Sequence, residues 1–360
     1  MDLKESRTKI EKIDKEMAKL FEERLDAVRE IASYKKQNAL PIYDELREKQ
    51  LIEKNTQFIE NTEYLQYYTK FLKDLMNVSK SFQEKIVSGI KVVYCGTNGA
   101  FAHIATKKAF PNAQIFSCQD FASAYKGVED GEYDCAVLPI ENSFAGDVST
   151  VMDLMFSGSL YINRVIELGV SHNLLGKKGS DISKIKTVVS HAQALEQCVD
   201  FIREHNLNTL TYSNTALAGE YVSKNDDESV AAIASLETAK AFDLEILQTN
   251  INTSNTNTTR FGVFTRAQSL PNPDSQNENE HFILTFTTKN QAGSLAQALD
   301  IIGAHGFNMR SLHSRPMKEL LWSYYFLIEA EGNVNTRNGR EMLQELSAVS
   351  SRLKLVGTYN

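Results

Sequence analysis

The first 88 residues contain no glycine and a single proline, Pro41. That absence constrains the chain more than any other feature, because glycine and proline are the residues that interrupt helices. Apolar residues recur at Ile10, Ile13, Met17, Leu20, Val28 and Ile31, a helical stripe. The spacing predicts a helix from about Leu3 to Lys36, a break at Pro41, a second helix from near Asp44 and a third from about Glu63 to Lys85. A first helix of that length without an internal stop belongs to a coiled coil or an intertwined bundle.

The grammar changes at Ser88-Gly89. Ile90-Lys91-Val92-Val93-Tyr94 has the pattern of a short buried strand and is followed by Gly96 and Gly99. Ala136-Val137-Leu138, Thr187-Val188-Val189 and Val230-Ala231-Ala232-Ile233 repeat the theme with amphipathic helices between them, which predicts an α/β domain with a largely parallel sheet. Residues 267–280 hold two prolines, several Asn and Gln, acidic residues and little that could pack, the composition of a linker. Beyond it the pattern reads strand (His281–Thr288), helix (Ser294–His305), strand (Phe307–Arg315), strand (Tyr324–Ala330), helix (Arg340–Val349) and strand (Lys354–Thr358). The order β-α-β-β-α-β is that of the ferredoxin-like motif.

Charge and composition exclude several classes. The formal net charge is −7, which argues against a partner made of nucleic acid phosphates. No stretch approaches the roughly 18 apolar residues of a membrane span, and Met1 to Lys12 is charged throughout, without the apolar core of a signal peptide. Cys95, Cys118, Cys135 and Cys198 form no C-x-x-C pair, so they read as reduced, mostly buried thiols of a cytoplasmic protein, with neither metal site nor cofactor.

In the helical segment, Arg24 and Lys35 fall about 20° apart on a helical wheel, while Arg7 lies about 80° off that line. Asp44, Arg47 and Glu48 share a face at i, i+3 and i+4, as do Ser79 and Gln83 at i and i+4. Taken singly, these spacings also suit solvated faces with salt bridges. Taken together with Asp14 and Pro41-Ile42-Tyr43, their order resembles the all-helical chorismate mutase family over essentially residues 1–85, within a domain expected to span 1–88. The resemblance implies an entwined homodimer or higher oligomer in which Arg7 reaches the partner's site. It implies that Arg7, Arg24 and Arg47 clamp the carboxylates of chorismate, and that Lys35 and Gln83 hydrogen-bond its ether oxygen. Glu48, Asp44 and Ser79 then hold the ring hydroxyl side or orient the cations. A one-step pericyclic shift needs no nucleophile, only a held conformer and charge placed against the developing oxyanion.

Residues 89–266 carry Pro139-Ile140-Glu141-Asn142-Ser143 and then Ala145-Gly146 after one buried strand, and Ser190-His191-Ala192-Gln193-Ala194-Leu195-Glu196-Gln197-Cys198 after another. Thr259-Arg260-Phe261 closes an Asn/Thr-rich stretch. Each alone could be turn or capping chemistry. With Gly96 to His103 and Thr215-Ala216 they resemble the prephenate dehydratase family, whose fold has two α/β lobes around a cleft, like a type II binding protein. The second lobe is expected near residues 171–250. The resemblance implies that Thr259 donates a proton or hydrogen bond to the departing hydroxyl of prephenate, that Arg260 binds a carboxylate, and that Glu141, Asn142, Ser143, Ser190, Gln197 and Thr215 line the cleft. His191, beside a strand end, reads as a structural histidine. The chain departs from the family pattern at Thr97 and Ala192, where proline is usual.

In the last segment, Gly293-Ser294-Leu295-Ala296 opens a helix after a strand, leaving N–H groups able to receive a carboxylate. With His313-Ser314-Arg315-Pro316 this resembles the regulatory ACT domain of prephenate dehydratases and implies phenylalanine as an inhibitor bound there, with His313 where glutamate is usual. A domain used only for dimerisation would share the pattern. Trp322 reads as core or interface. The expected protein therefore makes prephenate from chorismate and phenylpyruvate from prephenate. The alternatives are one degenerate site, a preference for arogenate, or a small-molecule-binding sensor.

Overall fold

The computed structural model describes residues 2–37, 45–254, 256–274, 279–317 and 323–360; Pro41, Asp44 and Trp322 lie outside them. Two compact units are present, Met1–Ile90 and Lys91–Asn360. The first consists of α1 (Leu3–Gln37), α2 (Glu45–Thr56) and α3 (Leu65–Ser88), the last entered through a short 3-10 turn, Thr62–Tyr64, capped by Asn61. Arg24 of α1 bonds Ser79 of α3, and Arg29 stacks over the Phe82 ring at 5.7 Å. Both pairs ascend together, so α1 and α3 run parallel. Val28 and Ala32 are buried in α1 and Leu72 and Met76 in α3, whereas Ile10, Ile13, Met17, Leu20 and Ile31 are exposed, Leu20 by 63%. Most of the stripe that specifies the long helix is thus exposed among the described residues.

The second unit begins with β1 (Lys91–Cys95), α4 (Phe101–Ala109), β2 (Gln114–Cys118), α5 (Phe121–Glu129), β3 (Cys135–Asn142), β4 (Gly146–Asp147), α6 (Ser149–Ser157) and β5 (Tyr161–Gly169). The chain then crosses to a second sheet through β6 (Asn173–Gly176), β7 (Thr187–Ser190), α7 (Ala192–Gln197), α8 (Val199–Glu204), β8 (Asn208–Thr211), α9 (Thr215–Lys224), β9 (Val230–Ala234), α10 (Leu236–Ala241) and β10 (Glu245–Gln248). It returns to the first sheet with β11 (Thr258–Thr265). Every residue of β9 is buried, as its continuous apolar run predicts for a central strand. The second sheet has the order β10-β6-β9-β7-β8, with β7, β8 and β9 parallel but β6 antiparallel to both β9 and β10. In the first sheet β11 runs antiparallel to β3 and β5, so both sheets are mixed rather than largely parallel.

The last elements are β12 (His281–Thr288), α11 (Ser294–Ala304), β13 (Met309–Pro316), β14 (Tyr324–Glu331), α12 (Arg337–Val349) and β15 (Ser350–Tyr359). Their strands do not form a separate sheet. They extend the first one, giving β13-β14-β12-β15-β5-β11-β3-β1-β2. The junction is the parallel contact of Gly357 with Ile162, where a Cβ on Gly357 would stand 1.9 Å from the Ile162 carbonyl oxygen. Only glycine allows that approach. The described part of the segment expected to pack little is strapped down by hydrogen bonds. Asn163 bonds the Ala267 carbonyl at 2.8 Å, Thr358 that of Ser269 at 2.6 Å, Asn335 that of Pro271 at 2.9 Å and Asn333 that of Asn272 at 2.7 Å. Polar side chains, rather than apolar contacts, hold this backbone.

Candidate active sites

In the helical unit, Arg24 donates to the Ser79 hydroxyl, which in turn donates to the Leu75 carbonyl at 2.8 Å. Burial lowers the Arg24 pKa from its ordinary value. Asp14, Met17, Phe21, Arg24, Phe71, Asp74 and Val78 line a cavity of about 610 Å³. Gln83, one turn beyond Ser79 on the same face, is buried with its Oε1 unbonded. Glu48 of α2 pairs with Lys80 at 2.9 Å, and Arg47 is exposed. Arg24 and Ser79 thus come together, with Gln83 one turn farther along α3 on the Ser79 face. Lys35 stands farther along α1, about 16 Å by helical rise, and Arg7 about 25 Å back in the other direction. Within one chain Arg7 and Arg24 cannot grip the same small molecule.

In the second unit a cavity of about 510 Å³ opens between the two sheets. Of the predicted residues, Asn142, Gln197, Thr215 and Thr259 line it, with Cys95, Phe101, Gln119, His172, His191, Gln193 and Phe261. Asn142, at the end of β3, is the knot. Its Nδ2 donates to Asn257 Oδ1 and to Thr259 Oγ1, both at 2.9 Å. Its Oδ1 accepts from the Phe144 and Ala145 amides at 3.1 and 2.9 Å and from Gln193 Nε2 at 3.2 Å. Asn142 is therefore tied both to β11 and to the second lobe.

His172 was not singled out in the sequence, although it is a lone histidine just after the chain leaves β5. Its Nε2 lies 2.8 Å from Gln197 Oε1, and its ring stands edge-on to Phe101. Burial lowers its pKa against the weaker pull of Gln197 in the other direction, which holds the ring neutral. With Nε2–H donating to Gln197, Nδ1 is an acceptor, and both Nδ1 and the Gln197 Nε2 are buried without a partner. His191 caps α7 by accepting from the Gln193 amide at 3.3 Å. The Cys95 thiol is pushed up to about 11, by burial first and then by Asp120 and Cys118.

Four predicted cleft residues stand elsewhere. Ser190 is fully buried and donates to the Ile233 carbonyl at 2.6 Å, a bond inside the second sheet. Ser143 pins its loop, donating to the Thr256 carbonyl and accepting from the Thr258 amide. Glu141 and Arg260 face away from the cavity, because strand neighbours alternate and Asn142 and Thr259 face it. Arg260 Nη1 bonds Glu141 at 2.9 Å and Glu329 at 2.8 Å, while its Nη2 bonds Glu329 at 2.9 Å and Tyr359 at 2.6 Å. Burial opposes its charge, but the hydrogen bonds and charge of Glu329 outweigh that and hold its pKa above the usual value. A guanidinium occupied in this way is not placed to bind a substrate carboxylate.

Among the predicted effector residues, Gly293 caps α11 in the left-handed region (φ +83°), with open space where a Cβ would stand. Ser294, Leu295 and Ala296 form the first turn. The register of β12, β14 and β13 puts Thr287, Tyr325 and Arg315 abreast, so the start of α11 and Pro316 lie at one end of the sheet. Ser314 is exposed on β13. Its neighbours point to the dehydratase-like part instead: His313 Nδ1 is 2.7 Å from Asp147, and Arg315 bonds Asp153 at 3.0 Å and Ser149 at 2.8 Å.

Two family models match the chain, chorismate mutase type II over residues 6–84 and prephenate dehydratase over residues 92–269. A bifunctional chorismate mutase/prephenate dehydratase of Buchnera aphidicola is 30% identical, over 98% of this chain and 95% of that protein. Among solved structures, a prephenate dehydratase from Arthrobacter aurescens in complex with L-Phe is 26% identical with a TM-score of 0.69, over 75% of this chain and 89% of that one. GqqA, described as a novel type of quorum quenching acylase, is 31% identical with a TM-score of 0.69, over 75% of this chain and 97% of that one.

Proposed function

From the premise that this chain belongs to the bifunctional chorismate mutase/prephenate dehydratase family, we propose how its residues divide the work. The chain rearranges chorismate to prephenate and converts prephenate to phenylpyruvate. In the mutase, Arg24, Arg47 and the partner chain's copy of the Arg7 position clamp the carboxylates, with Lys35 and Gln83 on the ether oxygen. Asp44, Glu48 and Ser79 orient the cations. The exposed stripe on α1 supports a dimer, since an apolar face of that length needs a partner.

In the dehydratase, the Asn142–Thr259 bond carries the reading. Thr259 Oγ1 accepts from Asn142 at 2.9 Å, which turns its own proton toward other acceptors, the departing hydroxyl of prephenate among them. The hydroxyl acts as a hydrogen-bond donor during the elimination; a threonine is too weak an acid to give up its proton early. His172 Nδ1 and Gln197 Nε2 offer one acceptor and one donor to the ring end of the substrate. The described residues lining the cavity include no lysine or arginine. The N-terminal turns of α4 and α9, at Phe101 and Thr215, supply the positive end of a dipole for a carboxylate. As the ring–carboxylate bond breaks, its electron pair aromatises the ring and expels the hydroxyl, which leaves as water by taking the Thr259 proton late in the step, and solvent restores that proton. The two sheets with a cleft between them fit a two-lobed binding-protein-like domain, and β12 to β15 with α11 and α12 fit an ACT domain. The boundaries are near residues 88, 266 and 280. The work is that of a cytoplasmic biosynthetic enzyme.

Phenylalanine binds at Gly293-Ser294-Leu295-Ala296 with Ser314 and Pro316, and His313 and Arg315 carry its presence to β4 and α6. The Phe-bound relative supports this reading. The test follows prephenate and phenylpyruvate from purified protein and chorismate, with phenylalanine titrated in. Both products should appear, and phenylalanine should suppress only the second. Gly293→Asn, a residue that tolerates positive φ but fills the open space, should abolish suppression with both turnovers intact. No response of the parent to millimolar phenylalanine would leave the C-terminal domain structural.

A further inference from the structure

The catalytic strand is held from behind by residues of the C-terminal domain. β11 and β3 are paired at Thr259 with Asn142 and at Arg260 with Glu141, but the next pair is Phe261 with Pro139, so Ile140 is bulged out. A bulge re-aims side chains and weakens the local ladder. Here it lies beside the two residues that must meet across the strands, Asn142 and Thr259. On the opposite face, Arg260 clamps Glu141 at 2.9 Å, which ties the same two strands together at the bulge. Arg260 is fixed in turn by β14 and β15: both of its terminal nitrogens reach the buried carboxylate of Glu329, and the Tyr359 hydroxyl accepts from Arg260 while donating to Glu329. Glu329 is 4% exposed, and Arg310 stands 3.8 Å from it. The triangle of Arg260, Glu329 and Tyr359 is closed and polar, and two of its three members lie outside the dehydratase match.

We propose that Glu329 and Tyr359 are positioning residues of the dehydratase, acting through Arg260 to hold Thr259 against Asn142. The inference rests on the dehydratase reading of the cavity. Neither residue touches the cavity, so substrate affinity is not their business. What they set is the placement of a hydroxyl whose misplacement by 1 Å costs about 10²-fold in rate. A C-terminal domain needed for this geometry is part of the active site's framework, whatever it binds.

The test measures prephenate turnover and chorismate turnover in the full chain for Glu329→Gln, Tyr359→Phe and Arg260→Lys. Glu329→Gln should lower dehydratase kcat at least tenfold with KM within threefold, and Tyr359→Phe should lower it severalfold in the same way. Mutase turnover, which belongs to the other unit, should not move. Glu329→Gln combined with Arg260→Lys should be no slower than the slower single variant, because both act on one contact. If Glu329→Gln does not fold, Tyr359→Phe decides the matter, since it keeps the ring against His281. An active parent whose Glu329→Gln and Tyr359→Phe variants keep kcat within twofold would overturn the inference and leave the dehydratase reading standing. So would a change confined to KM. A parent that does not consume prephenate would overturn the reading itself, and the inference with it.

Discussion

The two catalytic units solve opposite problems with opposite economies of structure. In residues 1–90 the cations Arg7, Arg24 and Lys35 are strung along one 35-residue helix, and most of the apolar stripe of that helix is exposed. In residues 91–360 the polar residues are knotted, so that Asn142 alone bonds to Asn257, Thr259, Gln193 and two backbone amides. The difference follows from the chemistry. A pericyclic rearrangement asks for fixed charge around a compact dianion, and charge can be contributed by side chains from two protomers. An elimination asks for one hydroxyl in one place out of contact with water, which a single chain with two lobes can provide. Completeness within one chain is therefore the property in which the two proposed sites differ.

The largest effect tests the charge side of that comparison. Lys35→Ala should lower mutase turnover by about 10²–10³, the usual consequence of losing one transition-state donor. Turnover of supplied prephenate should stay at the parental rate. Mutase activity within a few-fold of the parent would remove Lys35 from the site. The next effect tests completeness directly. Arg7→Ala and Arg24→Ala proteins, each inactive as mutases, should regain activity when mixed and allowed to exchange protomers. In a statistical mixture half the dimers are hybrid and each has one intact site, so about a quarter of parental activity should return. No comparable rescue should be possible between two inactive dehydratase variants. Hybrid dimers verified by mass, with no recovered mutase activity, would show that the mutase site lies within one chain.

How much of this could be read from the sequence differs between the units for the same reason. The long first helix was legible because its signal is local: periodic apolar residues and no glycine. That the stripe would be exposed was legible only as the length of the helix. In the second unit the strands and helices were legible from apolar runs, and Asn142 and Thr259 from their motifs. The orientation of Glu141 and Arg260 was not. Strand alternation says that neighbours face opposite ways, but which neighbour faces the cavity is decided by the partner strands, and Glu329 and Tyr359 lie 69 and 99 positions from Arg260. His172 went unnoticed because nothing adjacent in sequence marks it; its partner Gln197 is 25 residues away. The junction at Gly357 is invisible without the fold, since one glycine near a strand end usually means a turn.

The smallest effect probes the cavity wall through a buried histidine. His172 is neutral in the folded chain because burial lowers its pKa, and the Gln197 bond only partly offsets this. The unfolded chain has no such burial, so its histidine takes up a proton near the ordinary value of about 6.5. As pH falls through that value the unfolded state gains protons that the folded state does not, and stability falls. The contribution is fully present above the unfolded pKa and is lost on the acid side, down to the folded pKa. Between pH 7 and pH 5 the loss from this one group is at most about 2 kcal/mol, set by the 1.5 units separating pH 5 from the unfolded value. His172→Gln cannot titrate, so it should flatten the decline by up to that amount while leaving the helical unit's own transition in place. Cys198, fully buried in the same lobe with its thiol held well above the ordinary pKa by burial, provides a local reporter. Its exposure to a thiol reagent across a urea series at pH 5 and at pH 7 gives the two stabilities. If parent and variant lose the same stability between those values, the ring is either not neutral or not buried, and the acceptor assigned to its Nδ1 would have to be withdrawn.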